Sequence, residues 1–302
     1  MKVTIYGKSA NDPKFMDMLI KFAIGVETVG DEVFLSYDEK YHDCDVAVIF
    51  GSWKDRPDTH HKVKNSIVNN AKNFIVIETP LIGRGPVSNV MQDDWYRIGL
   101  NGFLADTGNF NNKHKARDRW NIVRKGLDIT IPAYHMQKGP IVIALQLPGD
   151  ASLKGIGIEQ WALDTIKEIR AETDRDIIVR TPQLERSYDQ KIMDEMSEQS
   201  NVQFQRGTKE NLVPTLHEAL CTVTYSSGLA IDSLLNGCPN ISMSPSSFAY
   251  EIVPNTVKGI EDIRGVARDQ WLHNLAYAQW HVNEIEQGLP WLHLKKLLEK
   301  ET

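Results

Sequence analysis

Thr222-Val-Thr-Tyr-Ser-Ser-Gly-Leu-Ala-Ile-Asp-Ser-Leu-Leu-Asn-Gly-Cys-Pro-Asn-Ile-Ser-Met-Ser244 reads as a strand, a tight Ser-Ser-Gly turn, a helix, a Gly-x-Pro stop and a second strand. The run around Val223 ends a buried parallel strand, and Ser226, Ser227 and Gly228 follow where a helix begins. Hydroxyls and backbone N–H groups at such a point suit an anion, because the first N–H groups of a helix lack partners and its dipole is positive there. A diphosphate would fit. Asp232 falls farther along the same helix, where a carboxylate can accept hydrogen bonds from a ribose diol. Gly237 and Pro239 then end the helix and return the chain to the sheet. A purely structural βαβ unit, with its serine as N-cap and Asp232 in solvent, accounts for the same residues.

Working outward, strand and helix alternate on both sides of this stretch. Before it come a strand at 141–145, a helix at 158–170, a strand at 177–180, a helix at 188–198, a strand at 202–204 and a helix at 210–220. The first half has strands at 3–6, 33–35, 46–50 and 74–77, with helices from Asp12-Pro13 to Gly25 and near 62–71. Asp12 supplies a cap and Pro13 a first-turn proline, while Phe15, Leu19 and Phe22 recur on one helical face. Residues 79–110 are rich in Gly, Pro, Asn and Asp and read as a long loop, a feature uncommon in compact domains unless it binds or catalyses. Ile131-Pro-Ala-Tyr-His-Met-Gln-Lys-Gly-Pro140 reads as a linker. The pattern predicts an α/β chain of two facing Rossmann-like domains with a cleft at the strand carboxyl ends: 1–134, 135–268, and a helical tail at 269–302. In that tail, Trp271, Leu275, Ala278 and Val282 line one stripe of a packing helix spanning 271–287.

The 302 residues suffice for two cores, and a hydrophobic fraction of 41% with 25% charged residues is ordinary for a globular protein. No window approaches the ~18 uninterrupted apolar residues of a membrane span, and Met1-Lys-Val-Thr-Ile-Tyr-Gly7 reads as strand and turn rather than a signal peptide, so the expected location is cytoplasmic. Cys44, Cys221 and Cys238 lack metal-ligand spacing and read as reduced core residues. The net charge of −6 argues against nonspecific coating of nucleic acid, yet residues 1–132 hold 18 Lys+Arg against 17 Asp+Glu. Two basic segments lie there. One has Lys54, Arg56, His60, His61, Lys62 and Lys64; the other has Lys113, His114, Lys115, Arg117, Arg119, Arg124 and Lys125. Each is a candidate polyanion surface or simply a solvated face.

Ser226, Ser227 and Gly228, then Asp232, then Gly237 and Pro239 resemble the signature of the donor domain in GT-B glycosyltransferases, especially the capsule-polysaccharide type. Arg180-Thr-Pro182 sits where those enzymes often have Arg-His-Pro, so the resemblance gives Arg180 a grip on the diphosphate through charge-assisted hydrogen bonds. Thr181 in place of histidine, Asp232 in place of the commoner glutamate and Ala230 in place of glycine depart from that pattern. A strand-end ion pair is the structural alternative for Arg180. Gln146 and Asp150, in Leu145-Gln-Leu-Pro-Gly-Asp150, face the expected cleft as donor contacts, or else form an ordinary strand-end turn.

An inverting transfer needs a base for the acceptor hydroxyl, and Asp106 and Glu78 are the two candidates in the first half. Asp106 is preferred, since a strand-end carboxylate such as Glu78 also serves as a loop anchor. Trp53, Trp95, Tyr96 and Phe103 could stack on a base or sugar, or pack on their own loops. Asp174-Arg175-Asp176 has Asp-x-Asp spacing but leads into a strand and reads as a solvated turn, and His60-His61 lacks partners at ligand spacing, so no metal is expected. What the resemblance implies is a hexosyltransferase using a nucleotide diphosphate sugar, UDP-glucose or similar, with no other cofactor. Compact size and basic loops in the acceptor half also resemble bacteriophage DNA glycosyltransferases. That resemblance points to double-stranded DNA carrying 5-hydroxymethylcytosine as acceptor, contacted by Trp53, Lys54, Arg56, Lys113 and Lys115. The alternatives are a polysaccharide or lipid-linked acceptor, a non-hydrolysing nucleotide-sugar epimerase, and a nucleotide-sugar or nucleic-acid binding module without catalysis.

Overall fold

The computed structural model describes residues 1–83, 94–135, 138–183 and 188–299. In chain order the elements are β1 (Lys2–Tyr6), α1 (Pro13–Thr28), β2 (Glu32–Ser36), β3 (Val46–Phe50), α2 (Thr59–Asn70), β4 (Phe74–Glu78), β5 (Trp95–Leu100) and α3 (Asp118–Gly126). There follow β6 (Ile141–Ala144), α4 (Ile158–Arg170), β7 (Ile177–Thr181), α5 (Gln190–Ser197), β8 (Val202–Arg206), α6 (Lys209–Glu218), β9 (Cys221–Thr224), α7 (Leu229–Leu235) and β10 (Asn240–Ser242). The chain ends with α8 (Asp269–Ala276), β11 (Gln279–His281), α9 (Val282–Glu286) and α10 (Leu289–Leu298). It divides into two compact units. Met1–Leu81, Met91–Val123 and Leu272–Thr302 form the first; Ile82–Val90 and Arg124–Trp271 form the second.

Unit 1 is built on a sheet of order β11-β5-β4-β3-β1-β2. The four strands β1 to β4 run parallel, and β5 and β11 are antiparallel to their neighbours. Central β3 is buried along its whole length, as a parallel strand covered on both faces must be, whereas edge strand β2 is largely exposed. Asp12 caps α1 by accepting from the Lys14 N–H at 2.8 Å. Met18, Leu19, Phe22 and Val26 deliver its buried stripe to the sheet and to Trp291 and Leu294 of α10. The helix runs through Gly25 instead of stopping there. Glycine at this position serves close approach, because a Cβ would lie 2.1 Å from the Ile285 carbonyl oxygen.

Two expectations are corrected in this unit. The span 79–110 is not wholly loop: β5 lies within it, fully buried, while residues 84–93 lie outside the described residues. The apolar stripe at 271–287 is not one helix. It breaks into α8, β11 and α9 because Gln279–His281 pair with β5 through Trp280↔Tyr96. His281 then caps α9 reciprocally with Glu284.

A buried carboxylate ties α10 to the start of the sheet. Asp31, 8% exposed, accepts from Trp291 Nε1 at 2.7 Å and from Lys295 Nζ at 2.7 and 3.0 Å. Burial alone would raise its pKa, but hydrogen bonds from Lys295, the Met1 amino group and Trp291 more than offset that and bring it from 3.8 to about 2. A carboxylate depressed in the folded state contributes stability above its unfolded pKa and loses it as pH falls through the folded one. Asp31→Ala is therefore expected to cost about 2–3 kcal/mol near neutral pH, leaving an indole N–H and two ammonium groups without this acceptor. The gap between variant and parent should shrink as the pH of chemical denaturation is lowered from about 4 toward 2. A gap that does not vary with pH in that window would remove the charge from the explanation.

Unit 2 carries an all-parallel sheet of order β10-β9-β6-β7-β8. Helices α4 and α5 cover one face through Leu163, Ile166 and Met196; Leu212, Leu216 and Cys238 pack over Val142 on the other. The span read as a linker is pinned inside this unit. His135 N–H donates to Gly237 O at 3.0 Å, and Arg268 donates to the carbonyls of Pro132 and Leu234. Residues 136 and 137 of that span lie outside the described residues. Gly237, at φ 73, takes the left-handed position that ends α7. Cys221 and Cys238 are buried free thiols, and burial pushes the Cys238 thiol up to about 12.

Candidate functional site

In unit 2 the strand order reverses between β6 and β9, the topological switch point at which open α/β sheets place ligands beyond their strand carboxyl ends. Gln146 follows β6 and Ser226 follows β9, so the two residues picked from the sequence meet there. Gln146 Oε1 accepts from the Ser226 N–H at 3.0 Å, and Gln146 Nε2 donates to Ser226 Oγ at 3.2 Å and to Ser152 Oγ at 3.0 Å. Ser152 also donates its N–H and Oγ to Asp150 Oδ1 at 2.9 and 2.7 Å. These contacts tie Gln146 to Ser226 and Ser152, and Ser152 to one oxygen of Asp150, so Gln146 and the Ser226 N–H already have partners within the protein. The arrangement is a preformed polar floor joining two strand ends. Ser152 was invisible to motif reading because it enters only through the loop's fold.

The open donors lie one step along. Ser227 Oγ accepts from Leu229 N at 3.2 Å, and among the described contacts the backbone N–H groups of Ser227 and Gly228 have no acceptor. Because α7 has only seven residues, its dipole is a minor contributor and the electropositive character of this edge must come from elsewhere.

Arg180 supplies it. Its side chain lies 8% exposed beneath the start of α6, donating from Nη1 to Gln205 Oε1 at 2.6 Å and Asn211 Oδ1 at 2.7 Å, and from Nη2 to Thr208 O at 2.9 Å. All three acceptors are neutral, and among the described residues no carboxylate lies within ion-pair distance. The strand-end ion pair is thereby excluded as the alternative. Three of five guanidinium N–H groups are used. Burial pushes the pKa of Arg180 down, and the more distant charge of Asp232, half-buried in the first turn of α7, works in the opposite direction. Thr208 and Asn211 form a capping box on α6, so a cation sits beside the positive end of a ten-residue helix. A buried cation held only by neutral oxygens is a place where an oxyanion relieves an electrostatic deficit.

The candidates in unit 1 fare differently. Glu78 ends β4 and its oxygens accept the N–H groups of Ser52 at 3.1 Å and Thr79 at 2.8 Å, the loop-anchor role weighed for it. Asp106 is exposed on a turn after β5. Trp95, Tyr96 and Phe103 are 4–7% exposed and belong to the core, and Trp53 packs edge-on against Phe74 and Phe103 at 5.9 and 5.3 Å. No stacking platform remains from that set. The basic segments are also partly internal. Arg119 and Lys64 are buried, and Lys115 lies over the Tyr277 ring at 5.1 Å. Arg56 and Lys113 are exposed and Lys54 is half-buried. Among the described residues no group of three His, Cys, Asp or Glu side chains could hold a metal ion, and no helix is long and apolar enough to cross a membrane.

Comparison with family models and with curated proteins finds no match. Solved structures do match. The beta Kdo 2,4 transferase of Thermosulfurimonas dismutans KpsC is 13% identical, with 95% of this chain and 98% of that one covered at a TM-score of 0.53. The beta Kdo 2,7 transferase of the same protein is 11% identical, covering 97% of this chain and 99% of that one, also at 0.53. A UDP-GlcNAc 2-epimerase from Methanocaldococcus jannaschii, in complex with UDP-GlcNAc and UDP, is 11% identical over 90% of this chain and 98% of that one; its TM-score of 0.35 is too low to argue from. Together with the two Rossmann-like sheets, the likeness to the two Kdo transferases gives the chain a mixed α/β fold of the GT-B type.

Proposed function

We propose that this chain is a glycosyltransferase that moves a sugar from a nucleotide diphosphate sugar to a hydroxyl acceptor. The observation that carries this reading is Arg180, a buried guanidinium with neutral partners only, on the sheet edge that also presents the Ser227 and Gly228 N–H groups. A diphosphate leaving group supplies the missing negative charge, and donors aimed at it in advance stabilise the charge that develops as the glycosidic bond breaks. Asp232 is assigned to the ribose and Asp106, exposed on the turn after β5, to the acceptor's proton.

Of the two acceptor classes left open by the sequence, a saccharide is favoured over hydroxymethylated DNA. A flipped base needs an aromatic platform, and the aromatics that would form one are buried or packed on each other. The two Kdo transferases of the same fold add support. The test is nucleotide release from a panel of uridine-, cytidine- and guanosine-activated sugars, UDP-glucose included, with saccharide acceptors in one arm and DNA containing 5-hydroxymethylcytosine in the other. Release that depends on a saccharide is expected; release that depends on DNA would reverse the choice of acceptor, and neither binding nor release from any donor would sink the transferase.

Arg180→Gln should weaken nucleotide diphosphate binding by roughly 10–100-fold, the worth of one or two charge-assisted hydrogen bonds. If Arg180 merely clamps the α6 cap, the substitution will lower the melting temperature and leave nucleotide affinity where it was.

A further inference from the structure

A second unbalanced cation lies in unit 1. Lys64 of α2 is 4% exposed, and its Nζ reaches the end of β3, donating to Ser52 O at 3.1 Å. An ammonium has three donors. Ser52 O is the one acceptor that Lys64 has among the described residues, and no carboxylate is within ion-pair distance. Glu78 is the acid whose charge acts on it, but Glu78 makes no ion pair with Nζ and its oxygens accept the N–H groups of Ser52 and Thr79. Burial therefore lowers the pKa of Lys64 to about 8 against the opposing pull of Glu78.

Three positions earlier, on the same helical face, His61 is 9% exposed and its Nδ1 has no hydrogen-bond partner. His60 packs beside it, ring centroids 4.2 Å apart, and burial lowers the pKa of both rings, His61 to about 4. The other charged groups acting on these imidazoles are Asp58 and Arg56. On the 3-10 turn Gly7–Ser9, against which α2 packs, Lys8 is exposed.

The location is informative. In this sheet the strand order reverses between β1 and β3, so β3's carboxyl end borders the switch point of unit 1. A buried lysine kept only for structure is normally matched by a carboxylate or by enough acceptors to fill its donors. Lys64 has neither, and one helical turn before it on α2 is a buried imidazole nitrogen without a hydrogen-bond partner.

We infer that Lys64 and His61 form an oxyanion site at the carboxyl end of β3, which receives the carboxylate or phosphate group of an anionic acceptor. Assignment of the anion to the acceptor rests on the transferase reading; the anion site itself does not. The oxyanion accepts from the two spare Nζ donors of Lys64, and His61 in its Nδ1–H tautomer completes the set.

Three measurements test this. In protein carrying 15N-lysine, the Lys64 Nζ resonance is followed against pH with inorganic phosphate, with acetate and with neither. Either anion is expected to raise the titration midpoint by about one unit, because it stabilises the ammonium. The anion with the larger shift identifies the chemistry. Lys64→Met should weaken that anion's binding at least about tenfold, equivalent to the one-unit shift, and leave the melting temperature unchanged or higher, since it removes an unneutralised buried charge. In turnover, the same variant should raise KM for a carboxylate- or phosphate-bearing acceptor about tenfold without changing KM for the donor or for a neutral acceptor. A Lys64 midpoint unmoved by both saturating anions overturns the site, as does a Lys64→Met variant that melts lower and binds anions as before. Anion binding at Lys64 in a protein that turns over no nucleotide sugar overturns only the transferase reading.

Discussion

Replacing Asp106 with alanine is expected to lower kcat for sugar transfer by roughly 10²–10⁴-fold, the usual contribution of a positioned general base, while nucleotide-sugar affinity stays within twofold of the parent's. The reasoning begins with the loop. After β5 the chain turns back so that Leu100 pairs with Asn109, and the Thr107 and Gly108 N–H groups donate to Leu104 O at 3.2 and 2.8 Å. Phe103, Leu104 and Phe110 are buried beneath it. The result is a tightly bonded turn whose outer residues, Ala105 to Thr107, face solvent. A carboxylate presented by a rigid loop is where catalytic residues concentrate. Glu78, the other candidate, is held in place by two backbone donors. Steady-state kinetics on Asp106→Ala and Glu78→Gln separate the two. Full turnover by the first with collapse of the second would transfer the base to Glu78; full turnover by both would mean that neither carboxylate takes the acceptor's proton.

Arg119→Ala should be the most destabilising single change in unit 1, at about 3–5 kcal/mol, with a drop in melting temperature on the order of 10 °C. Arg119 sits among α3, α8, β11 and α9, and its guanidinium is committed on every side. Nε donates to Ala276 O at 2.6 Å, Nη2 to Gln279 O at 2.5 Å, and Nη1 and Nη2 to the two Glu284 oxygens at 2.6 and 2.9 Å. Its Cζ lies over the Trp280 ring, 3.7 Å from the centroid. Removing it strands two carbonyls and a carboxylate only 16% exposed. Lysine keeps the charge but not the planar fork or the stacking, so Arg119→Lys should recover less than half of the loss. Calorimetry on both variants decides this; an alanine variant that melts like the parent would reduce the cluster to surface electrostatics.

How much of the site was legible follows from the range of each interaction. The Ser-Ser-Gly turn, the strand before it and the helix after it are local and were read from the sequence; that this turn borders a switch point comes from the strand order of the sheet. Arg180 was picked out by resemblance, but its neutral shell of Gln205, Thr208 and Asn211 comes from residues 25 to 31 positions away. Nothing in Arg-Thr-Pro announces it. Lys64 and Arg119 read as members of basic runs, and only burial separates them from Arg56 and Lys113. The loop aromatics misled for the same reason: Trp95 and Tyr96 sit among turn-forming residues, and their strand exists because β4 and β11 flank it.

The sequence by itself determined what depends on near neighbours: the parallel strands, most helices with their caps, the Gly-x-Pro stop and hence an α/β chain with two Rossmann-like halves. Hydrophobic periodicity and capping act over a few residues, so they can be read without knowing the rest. Tertiary structure alone decided the pairing of Gln279–His281 with β5, the closing of Gln146 onto Ser226, and which cations lie buried without an anion. Those outcomes depend on desolvation and on partners distant in sequence, and both are set only when the sheets assemble.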